Sequence, residues 1–176
     1  MLSHSRSRAF LLVTALGIAT VVGLAQGRFE TVTGKLFNEA VPRDFYLEGD
    51  AIPVEKLNAT LIKTPEGARA LFSLIATAGF ASEIQQKYSG MLISEGHLAI
   101  CGKRTNVGSY GFGVRRPHAA GRRAQFILYN QAGGEIMECS MRRDLRLREP
   151  KPLQIVIESS RSARLYLGRR WVVLGP

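Results

Sequence analysis

AQFILYNQAGGEIMEC, residues 124–139, decides the fold class. Two apolar runs flank an Ala-Gly-Gly tract, and glycine is the residue that reaches the positive φ a tight turn demands, so the stretch reads as a β-hairpin. Working outward, LQIVIESSRSARLYLG repeats the pattern, with Ser-Ser-Arg-Ser as the turn. Short apolar runs separated by turn residues recur through the chain: RFETVTGKLF, DFYLEG, ATLIKTP, SGMLISEG, HLAICG, SYGFGV, DLRLR and the terminal ARLYLGRRWVVL join the two hairpins. Strands this short and closely spaced predict a mainly β chain, a single antiparallel β-sandwich or barrel-like domain. A chain of 176 residues with 45% hydrophobic residues buries one sizeable core, so one domain over residues 28–176 is expected.

One region fits two readings. Thr64, Pro65 and Glu66 make a helix start signal ahead of ARALFSLIA, yet Leu71, Phe72, Leu74 and Ile75 fit neither the helical period nor strict alternation. SEIQQKYS, opened by Ser82 with Gln85 and Gln86 behind it, predicts a short helix. One or two small helices are therefore expected beside the strands. In DLRLR, Leu145 and Leu147 alternate with Arg146 and Arg148, which predicts a half-buried strand with a cationic outer face.

The N-terminus carries an address. Arg6 and Arg8 precede an uncharged run from Ala9 to Ala25 that ends in small residues, the layout of a cleaved secretory signal over residues 1–27. The run is at the short limit for a spanning helix, which leaves an uncleaved N-terminal anchor as the lesser alternative. A periplasmic or extracellular location follows as the expectation. Cys101 and Cys139 are the two cysteines; His97 stands four positions before Cys101, but two isolated histidines and two isolated cysteines do not supply metal-ligand spacing, so no metal motif is present. Each follows an apolar run and is expected on a strand. Export permits a disulfide between them, and buried free thiols are the other outcome.

Net charge is +10, and it is lopsided. Residues 28–100 hold seven Lys and Arg against nine Asp and Glu, whereas residues 101–176 hold fifteen against five. A basic exported protein has acidic envelope polymers, anionic membrane surfaces or an acidic protein as its natural partners; no nucleic acid is expected. Arginine supplies 18 of the 24 basic residues, which a solvated surface alone would also explain.

The glycines of GSYGFGVRRPHAAGRR do not make a phosphate loop. Gly108, Gly111 and Gly113 reverse the order of the dinucleotide fingerprint, and Pro117 and Gly121 stand where a helix should propagate. Period two accounts for them better: Tyr110, Phe112 and Val114 on one face, Ser109, Gly111 and Gly113 on a nearly bare face that a neighbour can approach closely. Only His97 and His118 follow the leader, and no nucleophile-elbow signature is present, so the chain offers little for nucleophilic catalysis. Asp44, Glu48, Asp50 and Glu55 form an acidic cluster without a calcium-loop pattern. Neither a cofactor nor a metal is implied.

What remains is arginine, in pairs at 115–116, 122–123, 142–143 and 169–170. Adjacent residues of a strand point to opposite faces, so such pairs mark loops, edges or breaks, and a break is expected near Gly168. Arg115, Arg116, Arg122 and Arg123 are expected to form an exposed basic loop that holds an anionic ligand, extended by Arg146 and Arg148. The function expected is a non-enzymatic binding or interaction module of the cell envelope. A small secreted hydrolase using a carboxylate or His97 is one alternative, and a structural subunit assembling through strand edges is the other.

Overall fold

The computed structural model describes residues 27–117 and 122–175. In chain order the elements are β1 (Glu30–Val32), α1 (Gly34–Ala40), β2 (Asp44–Leu47), β3 (Asp50–Lys63), β4 (Arg69–Ile75), α2 (Ser82–Lys87) and β5 (Gly90–Ser94). There follow β6 (Leu98–Ile100), β7 (Lys103–Thr105), β8 (Gly108–Arg115), β9 (Gln125–Tyr129), β10 (Glu135–Ser140), β11 (Arg142–Arg143), β12 (Leu153–Ile157), β13 (Ala163–Leu167) and β14 (Arg170–Leu174). The chain is mainly β and antiparallel throughout, as its hairpin pattern predicts. The first sheet runs β1-β3-β4-β5-β8-β9-β10, with β2 added on β3; the second runs β12-β13-β14-β6-β7, with β11 on β14. Between β5 and β8 the chain leaves the first sheet to build the β6–β7 hairpin of the second, then returns.

The two sheets pack face to face. Ile62, Phe72, Leu92, Phe112, Phe126 and Leu128 of the first meet Ile100, Leu153, Leu165, Val172 and Leu174 of the second in one core. The Phe112 ring lies at its centre, 6.3 Å from Phe72 and 5.5 Å from Phe126 between centroids. The outer face of the first sheet is also covered. Leu61, Leu71, Met91, Ile127 and Tyr129 pack there under Phe45, Leu47 and Ile52 of the β2–β3 hairpin and Ile84 of α2, with Phe37 of α1 at the margin. β3 reaches both regions because its pairing with β4 slips between Glu55 and Ala59, leaving Lys56, Leu57 and Asn58 without partners. This second cluster explains the ambiguity of residues 69–75. β4 is buried on both faces, so Ala70 and Phe72 enter one core while Leu71 and Ile75 enter the other, and the alternation that marks a one-sided strand is lost. The Thr64-Pro65 signal opens no helix; the Thr64 amide bonds the Ala68 carbonyl and the Gly67 amide returns to Thr64, closing the β3–β4 turn.

Three further expectations are corrected. RFETVTGKLF is not one strand: β1 ends at Val32, Gly34 takes φ +70, and α1 begins. DLRLR forms no strand, and Leu145 is 74% exposed. The Asp144 carboxylate accepts from the amides of Arg146 and Leu147, a local turn that competes with ladder pairing. Cys101 is not on a strand but in the two-residue β6–β7 turn with Gly102, at φ +53 and +73 respectively, the geometry of a type I′ hairpin. The break near Gly168 is present, with φ +61 between β13 and β14.

Candidate anion-binding groove

The bare face predicted for β8 is where α2 docks. A side chain at Gly111 would strike the Tyr88 ring, and one at Gly113 would strike the Lys87 carbonyl. Close approach of this backbone sets the end of α2 against the first sheet and brings Gln85 and Gln86 to the edge of the sandwich. From the other sheet, Arg170 opens β14 at a position whose inward neighbours Val172 and Leu174 fill the core. One strand step earlier than the core, the same orientation carries the Arg170 guanidinium to the open end between the sheets.

Two neighbouring cavities form there. The first, of about 680 Å³, is lined by Leu74, Val114, Pro152 and Leu167 on its apolar side and by Gln85, Gln86, Ser89, Arg115, Arg116 and Arg170 on its polar side. The second, of about 440 Å³, is lined by Arg122, Arg123, Arg142, Arg143 and Arg170, with Pro117, Ala124 and Met141. Arg170 lines both, and Arg116 and Pro117 are consecutive, so the two make one groove. Among the described residues, no acid lines either cavity. Among the described residues, Arg116, Arg122, Arg123, Arg142, Arg143 and Arg170 are in no ion pair. The partly buried Arg170 is register-paired with Arg143, and Arg142 lies opposite Trp171 with its guanidinium 5.3 Å from that ring's centroid.

The structure redistributes the arginines singled out in the sequence. Arg116, Arg122 and Arg123 belong to the groove. Arg115 lines it but is not free: its two terminal nitrogens donate to Glu135 at 2.7 Å and Glu138 at 2.9 Å, and the Glu135 bond above all holds the guanidinium charged. Arg146 and Arg148 line neither cavity, because the strand that would have aimed them is a turn. Arg142, Arg143 and Arg170 take their place. Their pairing in sequence was visible; their convergence across β11 and β14 was not. His118 lies outside the described residues.

Trp171 marks the outer face of the second sheet at the same strands. The Arg164 guanidinium stacks 4.0 Å from its centroid and pairs with Glu158 at 2.6 Å. The Tyr166 hydroxyl donates to Asp144 at 3.1 Å. Arg169 donates to the Leu147 carbonyl, tying the turn before β14 to the loop after β11. These contacts hold β11, and so Arg142 and Arg143, in place.

A second polar cluster went unread in the sequence. Glu48 takes φ +51 in the β2–β3 turn, and its carboxylate accepts from Lys87 Nζ and, at 2.6 Å, from the Tyr88 hydroxyl. The Lys87 ammonium also lies 5.1 Å from the Tyr129 ring centroid. The Lys87 bond first, and then that of Tyr88, holds the Glu48 carboxyl below the usual carboxylate range. Burial, followed by the Glu48 bond, pushes the Tyr88 phenol above the ordinary tyrosine range. The cluster clamps the hairpin to the end of α2, which makes it a brace for the groove wall. The other acids are scattered: Asp44 meets Arg43 at 3.8 Å, and Glu55 accepts from Asn58 at 2.7 Å.

His97 is exposed and donates through Nδ1 to the Thr105 carbonyl at 3.1 Å. It borders a separate cavity of about 250 Å³ with Phe29, Glu66, Arg104 and Arg161. Among the described residues, no group of three His, Cys, Asp or Glu is placed to hold a metal. Cys101 and Cys139 are brought together as a pair with Cα atoms 6.5 Å apart, linking the β6–β7 turn of the second sheet to edge strand β10 of the first. Compared with protein-family models, curated proteins and solved structures, the chain matches none.

Proposed function

We propose that this chain is an exported, non-enzymatic β-sandwich module of the cell envelope that binds an anionic polymer through its arginine groove. The observation that carries the reading is the second cavity, which five arginines from three separate segments line with no acid among the described residues. Guanidinium forks suit phosphate and carboxylate because each donates two parallel hydrogen bonds. Like charges gathered around one cavity repel one another, and an anion bound among them relieves that cost. The leader-like N-terminus and the cysteine pair support the export part of the reading.

The test is binding of the domain to immobilised polyphosphate at about 0.05 M and about 0.5 M salt, beside a variant with Arg122, Arg123, Arg142 and Arg143 all changed to Ser. Affinity is expected to fall steeply with salt, since exposed charges are screened over about 10 Å or less in this range. Four lost contacts at a few tenths to one kcal/mol each predict a loss of at least about tenfold in the variant. Salt-independent binding, or equal affinity of the variant, refutes the reading.

A further inference from the structure

The two halves of the groove differ chemically, and the difference points to the ligand. The second cavity is lined by five arginines with Pro117, Ala124 and Met141. The first has an apolar wall made by Leu74 of β4, Val114 of β8, Leu167 of β13 and Pro152, facing a cationic rim at Arg116 and Arg170. Leu74, Val114 and Leu167 are side chains that also pack on the inter-sheet core, so this wall is the end of the core itself, left uncovered at the open end of the sandwich. Arg115 is already paired with Glu135 and Glu138, which leaves Arg116 and Arg170 as the cations available to a ligand. Gln85, which donates to the Phe80 carbonyl at 2.8 Å, also lines the cavity with Gln86 and Ser89.

We propose that the first cavity binds an amphipathic anion: a molecule with a phosphate or carboxylate at one end, seated between Arg116 and Arg170, and an aliphatic body lying on Leu74, Val114, Leu167 and Pro152. The inference deepens the anion-binding reading and rests on the same groove. A bare inorganic anion would satisfy the arginines and leave the apolar wall wet. A neutral aliphatic molecule would cover the wall and leave the arginines unmatched. Only a ligand carrying both parts uses both walls, and apolar contact plus a few placed polar groups is the usual construction of a small-molecule site. The cavity, about 680 Å³, lies within the range such sites occupy, about 300–1,000 Å³.

The experiment titrates the domain with four probes, read by calorimetry and by amide shifts in two-dimensional NMR: dodecyl phosphate kept monomeric, inorganic phosphate, uncharged dodecyl maltoside, and polyphosphate. Dodecyl phosphate is expected to bind at least about tenfold tighter than either inorganic phosphate or dodecyl maltoside, with shifts at Leu74, Val114 and Leu167. Arg170→Ser is expected to remove the advantage over dodecyl maltoside. Val114→Thr keeps the β-branched shape but places a hydroxyl on the apolar wall, and is expected to reduce the advantage over inorganic phosphate; unchanged melting of this variant shows that the fold is intact. Dodecyl phosphate binding no better than inorganic phosphate, or no better than dodecyl maltoside, overturns the proposal. Salt-dependent binding of polyphosphate in that event leaves the arginine cleft standing and removes only the amphiphile. Dodecyl phosphate binding without polyphosphate binding keeps the amphiphile site and removes the polymer reading.

Discussion

Gly113→Ala should destabilise this protein more than Gly168→Ala in the turn before β14, although the backbone at Gly113 is ordinary extended strand. Gly113 pairs with Ile127, and its missing side chain faces the C-terminal end of α2. A Cβ would sit less than 3.0 Å from the Lys87 carbonyl oxygen and 3.1 Å from its carbonyl carbon, with the Tyr129 ring at 3.6 Å. Ordinary carbon contacts need about 3.5–4.0 Å, so either β8 or the end of α2 must move. Neither can do so alone, because the obstructing atoms are main chain and the next residue, Tyr88, is bonded to Glu48 of the β2–β3 turn. Overpacking of this kind costs about 1–3 kcal/mol, and a backbone obstacle places it near the upper end. At about 2–4 °C per kcal/mol for a chain of this size, the melting temperature should fall by about 6–12 °C. Gly168→Ala is the control, since Gly168 has φ +61 with nothing within 4 Å, and only the left-handed backbone cost of about 1–2 kcal/mol applies. The assay is thermal and urea unfolding followed by circular dichroism. A Gly113→Ala protein melting within about 2 °C of the parent, or above Gly168→Ala, refutes the docking of α2 on the bare face of β8.

Closing a loop of 38 residues, the Cys101–Cys139 bridge should contribute about 4 kcal/mol by restricting the unfolded chain; thiol counting on denatured, non-reduced protein should find none, and two free thiols would remove the bridge. The Tyr88 phenol is raised by burial and by Glu48, so stability tied to its neutral form is whole below about pH 10 and is lost as pH rises beyond that value. Ultraviolet absorbance titration should show it ionising above the ordinary tyrosine range in folded protein, and Tyr88→Phe should remove one late-ionising phenol and leave that of Tyr129, which burial also raises. Glu48 has the opposite sign: its carboxyl is depressed, so its contribution is present above about pH 4.5 and fades as pH falls through the folded value. Glu48→Gln should flatten the acid limb of the stability curve measured by urea unfolding, and an unchanged limb would assign acid sensitivity elsewhere.

Strand periodicity and turn chemistry are local, which is why residues 124–139 and 153–167 already showed their hairpins in the sequence, and why Gly111 and Gly113 could be assigned to a bare face before any neighbour was known. The charge asymmetry and the arginine pairs were equally plain. Where the reading failed, a nonlocal or a competing local interaction decided. Residues 69–75 looked ambiguous because β4 separates two cores, and a segment buried on both sides carries no period to read. DLRLR had perfect alternation, yet Asp144 captured two amides within its own turn and the ladder never formed.

The site shows the same division. Composition determined that the chain carries excess guanidinium in its second half, and the pairing of arginines determined that they would gather at breaks and edges. Which ones converge was decided by the passage of the chain between sheets: β11 and β14 bring Arg142, Arg143 and Arg170 to the cavity of Arg122 and Arg123, while Glu135 and Glu138 of β10, the strand beyond β9, occupy Arg115. Strand alternation determines which way a side chain points within its own strand, whereas the charges it meets belong to strands brought alongside by the packing of the two sheets.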